Sequence, residues 1–264
     1  DRDFGDAVWS ELAGSLSAGS LSSRATETTS ATDGYFNHQA ATQWVHTPAA
    51  IQVAEILDVG GDDHPGCKIL DLGCGSAVWS CAMGHRDQAA TVMMVDHAGA
   101  IEAAKATATS IGMSERIETI VGDFLQTRLP ADTFDLVLVA QRVKGLSDAA
   151  ASSLIQRASM AAKPGGRVAV IDLFRGPVAK APSAEDAHDD RGPDAYAKPS
   201  LAESIEALKV HLGTESGRIR TLQHAQDLLA QAGLDQIQFA YLSASRLNLG
   251  IAVGVKTGVK PDQG

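Results

Sequence analysis

Apolar positions between residues 68 and 175 concentrate in short runs, the third of them partly alternating with polar positions. The runs are Ile69-Leu-Asp-Leu72, Thr91-Val-Met-Met-Val95, Arg116-Ile-Glu-Thr-Ile-Val121, Phe134-Asp-Leu-Val-Leu-Val-Ala140 and Arg167-Val-Ala-Val-Ile171. Each has the length and the composition of a strand, and the second and fourth read as buried. Helix-forming sequence lies between them. One helix is predicted from about Asp148 to Ala162, stopped by Lys163-Pro-Gly-Gly166. Strands alternating with helices of this kind predict a parallel, doubly wound α/β sheet. Further on, helices are predicted at about 200–212 and 221–232, the second ending at Ala232-Gly233. Two more strands are predicted at Gln236–Tyr241 and Leu247–Val253. Before the first strand, residues 35–59 read as helix, with Ile51, Ala54, Glu55 and Leu57 on the face that covers the rim of the domain.

The ends of the strands carry the chemistry. Lys68-Ile-Leu-Asp-Leu-Gly-Cys-Gly-Ser76 runs from a strand into a loop bearing Gly73 and Gly75, and then into helical sequence. This order builds a small-molecule site at the carboxyl edge of a parallel sheet. A dinucleotide fingerprint would require a third glycine at position 78, where the chain has Val78. Asp71 stands two residues before the first glycine. A carboxylate there repels a diphosphate and attracts a cationic sulfonium that carries an amino group. Both departures favour S-adenosylmethionine over NAD. Asp96, at the tip of the second strand, can accept both ribose hydroxyls, or cap the helix that begins near His97. Gly122-Asp123-Phe124 closes the third strand, where an ordinary Gly-Asp turn is the alternative reading. Ser76, His97 and Gln141, in or beside these stretches, are counted in the same cofactor set.

These motifs resemble motif I of the class I methyltransferases, D-x-G-x-G-x-G, with Ala77 in place of the third glycine. Residues 35–255 resemble the catalytic domain of the plant-type and bacterial small-molecule O-methyltransferases. Supporting stretches are Val95-Asp96, Gly122-Asp-Phe-Leu125, Pro164-Gly-Gly-Arg-Val168, Ile171-Asp-Leu-Phe174 and Val210-His-Leu-Gly-Thr-Glu-Ser-Gly-Arg218. The resemblance implies a Rossmann-like, seven-stranded, mostly parallel sheet with a terminal antiparallel hairpin. It also implies that Asp123 meets the adenine amino group and that Phe124 packs on the ring. The expected division is a helical cap at 1–60, loose in its first 34 or so residues, and a methyltransferase domain at 61–264. The family's N-terminal dimerisation domain would be short or missing, and a homodimer is one expectation of the resemblance.

The family's general base is a histidine in a His-Asp-Trp stretch after the fourth strand. Here that stretch is Gln141-Arg-Val-Lys-Gly-Leu-Ser-Asp148, without histidine. Lys144, His211 and Glu215 are the candidate catalytic groups; as a base, Lys144 would need a pKa lowered by burial, and a surface lysine is the plainer reading. His38 and His46 are candidates to line the acceptor pocket. Methyl transfer is an in-line displacement in which placement supplies most of the rate, and a base matters only for a protonated acceptor. O-methylation of a small organic acceptor in secondary metabolism is therefore the leading expectation. C-methylation is the alternative, as is a module cut from a megaenzyme, since the chain begins at Asp1. A carrier-bound acceptor would want a basic docking patch, for which Arg142, Lys144 and Arg175 are candidates. A non-catalytic scaffold is the rival reading from another class.

Composition narrows the partners. The chain has 264 residues, enough for one large domain with a small appendage. Its net charge of −10 argues against nucleic acid as substrate. No apolar run approaches the roughly 20 residues that span a bilayer, and no signal peptide is evident, so no membrane partner and a cytoplasmic location are expected. Three cysteines, Cys67, Cys74 and Cys81, match no zinc signature, and no metal is expected. Residues 175–199 hold four of nine prolines and many acids, and read as a solvated loop rather than a metal site at His188-Asp-Asp190.

Overall fold

The computed structural model describes residues 43–61, 65–175, 201–214, 216–245 and 249–258. The expectations placed on residues 1–34, His38, the 176–199 stretch and Glu215 lie outside the described residues.

A helix α1 (Thr47–Ile56) precedes an alternating series: β1 (Lys68–Leu72), α2 (Val78–Arg86), β2 (Thr91–Asp96), α3 (Ala98–Ser110), β3 (Ile117–Val121) and β4 (Phe134–Ala140). Then come α4 (Asp148–Ala161), β5 (Ala162–Arg175), α5 (Leu201–Gly213), β6 (Arg220–Thr221), α6 (Leu222–Gln231), β7 (Leu234–Tyr241) and β8 (Leu249–Lys256). The sheet order is β3-β2-β1-β4-β5-β8-β7, with the two-residue β6 paired to β5 off this path. β1 to β5 pair in parallel, and β8 runs antiparallel to both β5 and β7. The expected seven-stranded sheet with its closing hairpin is present, and β6 adds an eighth strand.

Six of the seven residues of β4 are buried, as the unbroken apolar run requires of a strand covered on both faces. One face packs against α1, α2 and α3 through Val53, Met83 and Ile101. The other packs against α4 and α6 through Leu154, Ile155, Leu228 and Leu229. From β1 the chain moves outward to β2 and β3, then returns to the other side of β1 as β4. That reversal opens a crevice above the carboxyl ends of β1 and β4.

Two local expectations are corrected. Within the described part of 35–59 the helix is only α1, preceded by a 3-10 turn at Gln43–Val45, and its buried face is Ala49, Ala50, Val53 and Ala54. Ile51 is 49% exposed; the alanine stripe lets α1 approach its neighbours closely, which a stripe containing Ile51 and Glu55 would not. The Lys163-Pro-Gly-Gly166 stretch stops α4 but also starts β5. Ala162 pairs with Phe134 before a register shift, the Lys163 ammonium forms a side-chain ion pair with Asp135, and Gly165 takes φ +80°. A Cβ at Gly166 would sit 2.7 Å from the Phe134 carbonyl oxygen, so the strand edge accepts only glycine there.

Candidate active site

The chain leaves β1 by a sharp turn. Gly73 N donates to the Val95 carbonyl (2.8 Å), and Gly75 N donates to Asp96 Oδ2 (2.8 Å). Both glycines have positive φ, +79° and +55°. Gly73 is constrained twice, because a Cβ there would come 2.9 Å from Arg142 Nε. Ala77 also sits in the left-handed region, at φ +57°, where it leads into α2.

Asp71 lies beneath this turn, 1% exposed. Ser80 Oγ donates to its Oδ2 (2.5 Å), while Oδ1 is buried with no hydrogen-bond partner. Burial pushes the Asp71 carboxyl up to about 6, against the opposing pull of Ser80 and Arg142. A buried acceptor without a donor is costly, and an ammonium group at that place would satisfy it.

Asp96 lies at the end of β2, where it accepts from Gly75 N and from His97 N (2.8 Å). Arg142 Nη2 reaches its Oδ2 (3.0 Å), and Arg142 Nε donates to the Gly73 carbonyl (2.6 Å). The guanidinium also lies over the Phe124 ring, 5.6 Å from its centroid, and His97 meets that ring edge-on at 6.4 Å. Asp71, Gly73, Gly75, Asp96, His97 and Phe124 are thus brought to one edge. Ser76 is buried in the same loop. Asp123 is half-buried, its Oδ1 accepting from Leu125 N (2.8 Å) to close its own turn.

The other wall begins at Gln141, which takes φ +61° immediately after β4. Lys144 Nζ donates to Gln141 Oε1 and lies 3.4 Å from Asp172 Oδ1. The Lys144 backbone N–H donates to Asp172 Oδ2 (2.9 Å). Lys144 is therefore an inward, ion-paired cation with 19% side-chain exposure, which corrects the plainer expectation of a surface lysine. Gln141 Nε2 is buried without a partner. His46 packs on Trp79 with ring centroids 5.9 Å apart. Burial, helped by the nearby Lys144 charge, holds its imidazolium below the usual histidine range, with Glu206 pulling the other way. His211 is exposed on the last turn of α5. The basic patch expected from Arg142, Lys144 and Arg175 is not formed: Arg142 and Lys144 each turn inward to pair with a buried carboxylate, Asp96 and Asp172.

Sequence reasoning missed Ser80, Trp79, Asp172 and the pairing of Arg142. Of these, Asp172 stood in the recognised Ile171-Asp-Leu-Phe174 stretch at the tip of a strand, a position that was itself a signal. Among the described residues no group of three or more His, Cys, Asp and Glu side chains could hold a metal. The three cysteines are free and buried.

Residues 69–166 match the family model described as a methyltransferase domain. The ubiquinone biosynthesis O-methyltransferase of Pseudomonas fluorescens (strain SBW25) is 33% identical to this chain over 115 residues, 43% of this chain and 47% of that relative. The chain thus spans about half the length of the curated relative it matches. An O-methyltransferase family protein from Burkholderia thailandensis superposes with a TM-score of 0.74 at 18% identity, over 98% of this chain and 71% of that one. Human N-acetylserotonin methyltransferase, solved with S-adenosylmethionine, gives 0.68 at 22% identity, over 95% and 67%. These likenesses bear out the expected fold and family resemblance, and the domain's glycine turn and its two strand-end aspartates lie inside the matched stretch. Among the described residues no helix is long and apolar enough to cross a membrane.

Proposed function

We propose that the chain transfers a methyl group from S-adenosylmethionine to an oxygen of a small organic acceptor, in secondary metabolism. The observation that carries this reading is Asp71: a buried carboxylate with an unpartnered oxygen, beside a turn with glycines of positive φ at 73 and 75. Asp71 would take the amino group of the cofactor, the Gly73–Gly75 turn would lie along its amino-acid part, Asp96 would take the ribose hydroxyls, and Phe124 would cover the base. When bound, the cofactor supplies an electrophilic methyl on a sulfonium.

The chain's own residues define the acceptor. Lys144, held in place by its ion pair with Asp172, suits an acceptor oxygen that arrives as, or becomes, an anion. His46 is neutral at pH 7 and can receive a proton in place of the missing histidine. An acidic phenol, an enol or a carboxylate fits this pair. The O-methyltransferase names of the relatives support oxygen as the target atom. C-methylation of a stabilised carbanion is the second reading, favoured by the cation at Lys144. A cytoplasmic site of action accords with the three free cysteines.

Calorimetric titration with S-adenosylhomocysteine and with NADH tests the cofactor. Binding of the first at about micromolar levels is expected, and binding of NADH alone would overturn the reading. Transfer of labelled methyl to a panel of phenols and β-dicarbonyl compounds then separates oxygen from carbon. Cofactor binding without transfer to any member of the panel would point to a scaffold.

A further inference from the structure

A second cavity, of about 250 Å³, opens where the end of β5 meets β6 and the first turn of α6. Its walls are Arg175, Arg218, Ile219, Arg220, Thr221 and His224. Such a lining is unexpected in a chain of net charge −10. Arg220 is 4% exposed and fixed in place. Its Nη1 donates to the Val143 carbonyl, and its Nη2 donates to the Leu146 carbonyl (2.7 Å) and to Asp148 Oδ1 (2.9 Å). Arg218 Nη2 donates to Asp148 Oδ2 (2.5 Å) while most of its side chain stays open to solvent. Arg175, the exposed last residue of β5, makes no hydrogen bond or ion pair with any described residue. His224 Nε2 is shielded from solvent and has no hydrogen-bond partner; the nearest acid oxygen, Asp148 Oδ1, is 3.8 Å away.

Among the described residues the cavity gathers three guanidinium groups, of which Arg218 and Arg220 share one carboxylate, Asp148, so positive charge exceeds negative charge by two there. We propose that this cavity binds a phosphate monoester. The guanidinium forks of Arg175 and Arg218 match the oxygens of a phosphate in pairs, while Arg220, its N–H groups given to the Val143, Leu146 and Arg218 carbonyls and to Asp148, contributes charge, and a dianion balances the surplus of two. His224 also lines the cavity, so its ring senses what binds there. The volume lies below the ~300–1,000 Å³ of clefts that enclose a whole small molecule. It suits the phosphate and the first atoms of its ester, with the remainder outside. Arg220 also ties this cavity to the turn that carries Lys144, since it grips the carbonyls of Val143 and Leu146 on either side of it. The proposal does not depend on the cofactor assignment, because no lining residue belongs to the Asp71–Asp96 edge.

The test is titration of the full chain with inorganic phosphate, then with methyl phosphate and dimethyl phosphate, followed through the His224 imidazole NMR signals. Sodium chloride at matched ionic strength is the control. Saturable movement of the His224 signals with phosphate and with methyl phosphate is expected, with dimethyl phosphate at least tenfold weaker. Arg175→Gln and Arg218→Gln should each weaken phosphate about tenfold, the loss of one charge-assisted hydrogen bond. Both positions are exposed, and S-adenosylhomocysteine affinity should be unchanged in both variants. The proposal fails if chloride moves the signals as far as phosphate does, if either substitution leaves phosphate affinity unaltered, or if the diester binds as well as the monoester. A phosphate carried on the acceptor would lower the acceptor's KM through Arg175, whereas a free phosphate effector would leave that KM unchanged by the Arg175→Gln substitution; both outcomes keep the site and distinguish its source.

Discussion

At the end of β1 a ligand would meet mostly main chain: two glycines at positive φ, a buried aspartate below them and a second aspartate held by backbone N–H groups. Across the crevice, beyond Gln141, it would meet charged side chains instead, with Lys144 held by Asp172 and His46 stacked on Trp79. The first wall is formed by a contiguous strand, turn and helix. The second is assembled from α1, the turn after β4 and the end of β5. A backbone cradle is shaped for one ligand, because changing it means changing φ. A wall of side chains can be re-specified by single substitutions without disturbing the fold. The contrast explains how one cofactor edge can serve many acceptors.

The sharpest break of this contrast is Asp71→Asn. It should lower S-adenosylhomocysteine affinity by about 100-fold or more, as expected for removing one partner of a buried charged pair. It should also stabilise the ligand-free fold. Asp71 titrates near 6 when folded and near 3.8 when unfolded, so the folded state holds the proton more tightly between those values. Stability from this group therefore falls as pH rises from about 4 to about 6, by about 3 kcal/mol in all. The variant should melt higher than the parent at pH 7.5 and lose that slope, as thermal scans across pH would show. In the parent, cofactor affinity should fall as pH drops through about 6, where the carboxylate is lost. An affinity constant from pH 5 to pH 8 would contradict the role given to Asp71.

Arg142→Met addresses the bridge between the walls. Removing a cation from a largely buried ion pair costs about 3 kcal/mol, and the ligand-free variant should be destabilised by about that amount. Saturating S-adenosylhomocysteine should narrow the gap, because ribose hydroxyls can hydrogen-bond Asp96 in its place; an undiminished gap in denaturant titrations would argue against ribose binding there.

Lys144→Met belongs to the acceptor wall. It should reduce methyl transfer by about 10- to 100-fold while cofactor affinity changes by less than about threefold. Equal losses in both quantities, measured by turnover and calorimetry, would erase the distinction between the walls.

The smallest effect is expected at Ala77→Gly. Relief of a left-handed alanine is worth about 1–2 kcal/mol, but a buried methyl of about 0.8 kcal/mol is lost and glycine adds about 0.5–1 kcal/mol of chain entropy. The net change in unfolding free energy should stay within about 1 kcal/mol, with cofactor affinity intact.

The parts of the site that could be read from the chain are those that are short in sequence. Asp71, Gly73 and Gly75 lie within five residues, and the turn they make follows from local φ preferences and the strand before them. Asp96 was found because it ends an apolar run. Arg142 could not be placed this way: its partner Gly73 is 69 residues earlier, and nothing local distinguishes a buried arginine from one on a docking surface. Lys144 read as a surface residue because its countercharge, Asp172, is 28 residues later. The face covering the rim was half read: Ala54 and Leu57 are buried as expected, but Ala49, Ala50 and Val53 complete the face in place of Ile51 and Glu55.

Hydrophobic periodicity and glycine placement fixed the strands, the helices between them and the turn that cradles a ligand, because those depend on contacts within a few residues. Tertiary structure alone decided which charges met. Ion pairs such as Arg142–Asp96, Lys144–Asp172 and Arg220–Asp148 are favoured only once the sheet order has brought their segments together and removed water from at least one partner, and no short stretch of sequence carries that information.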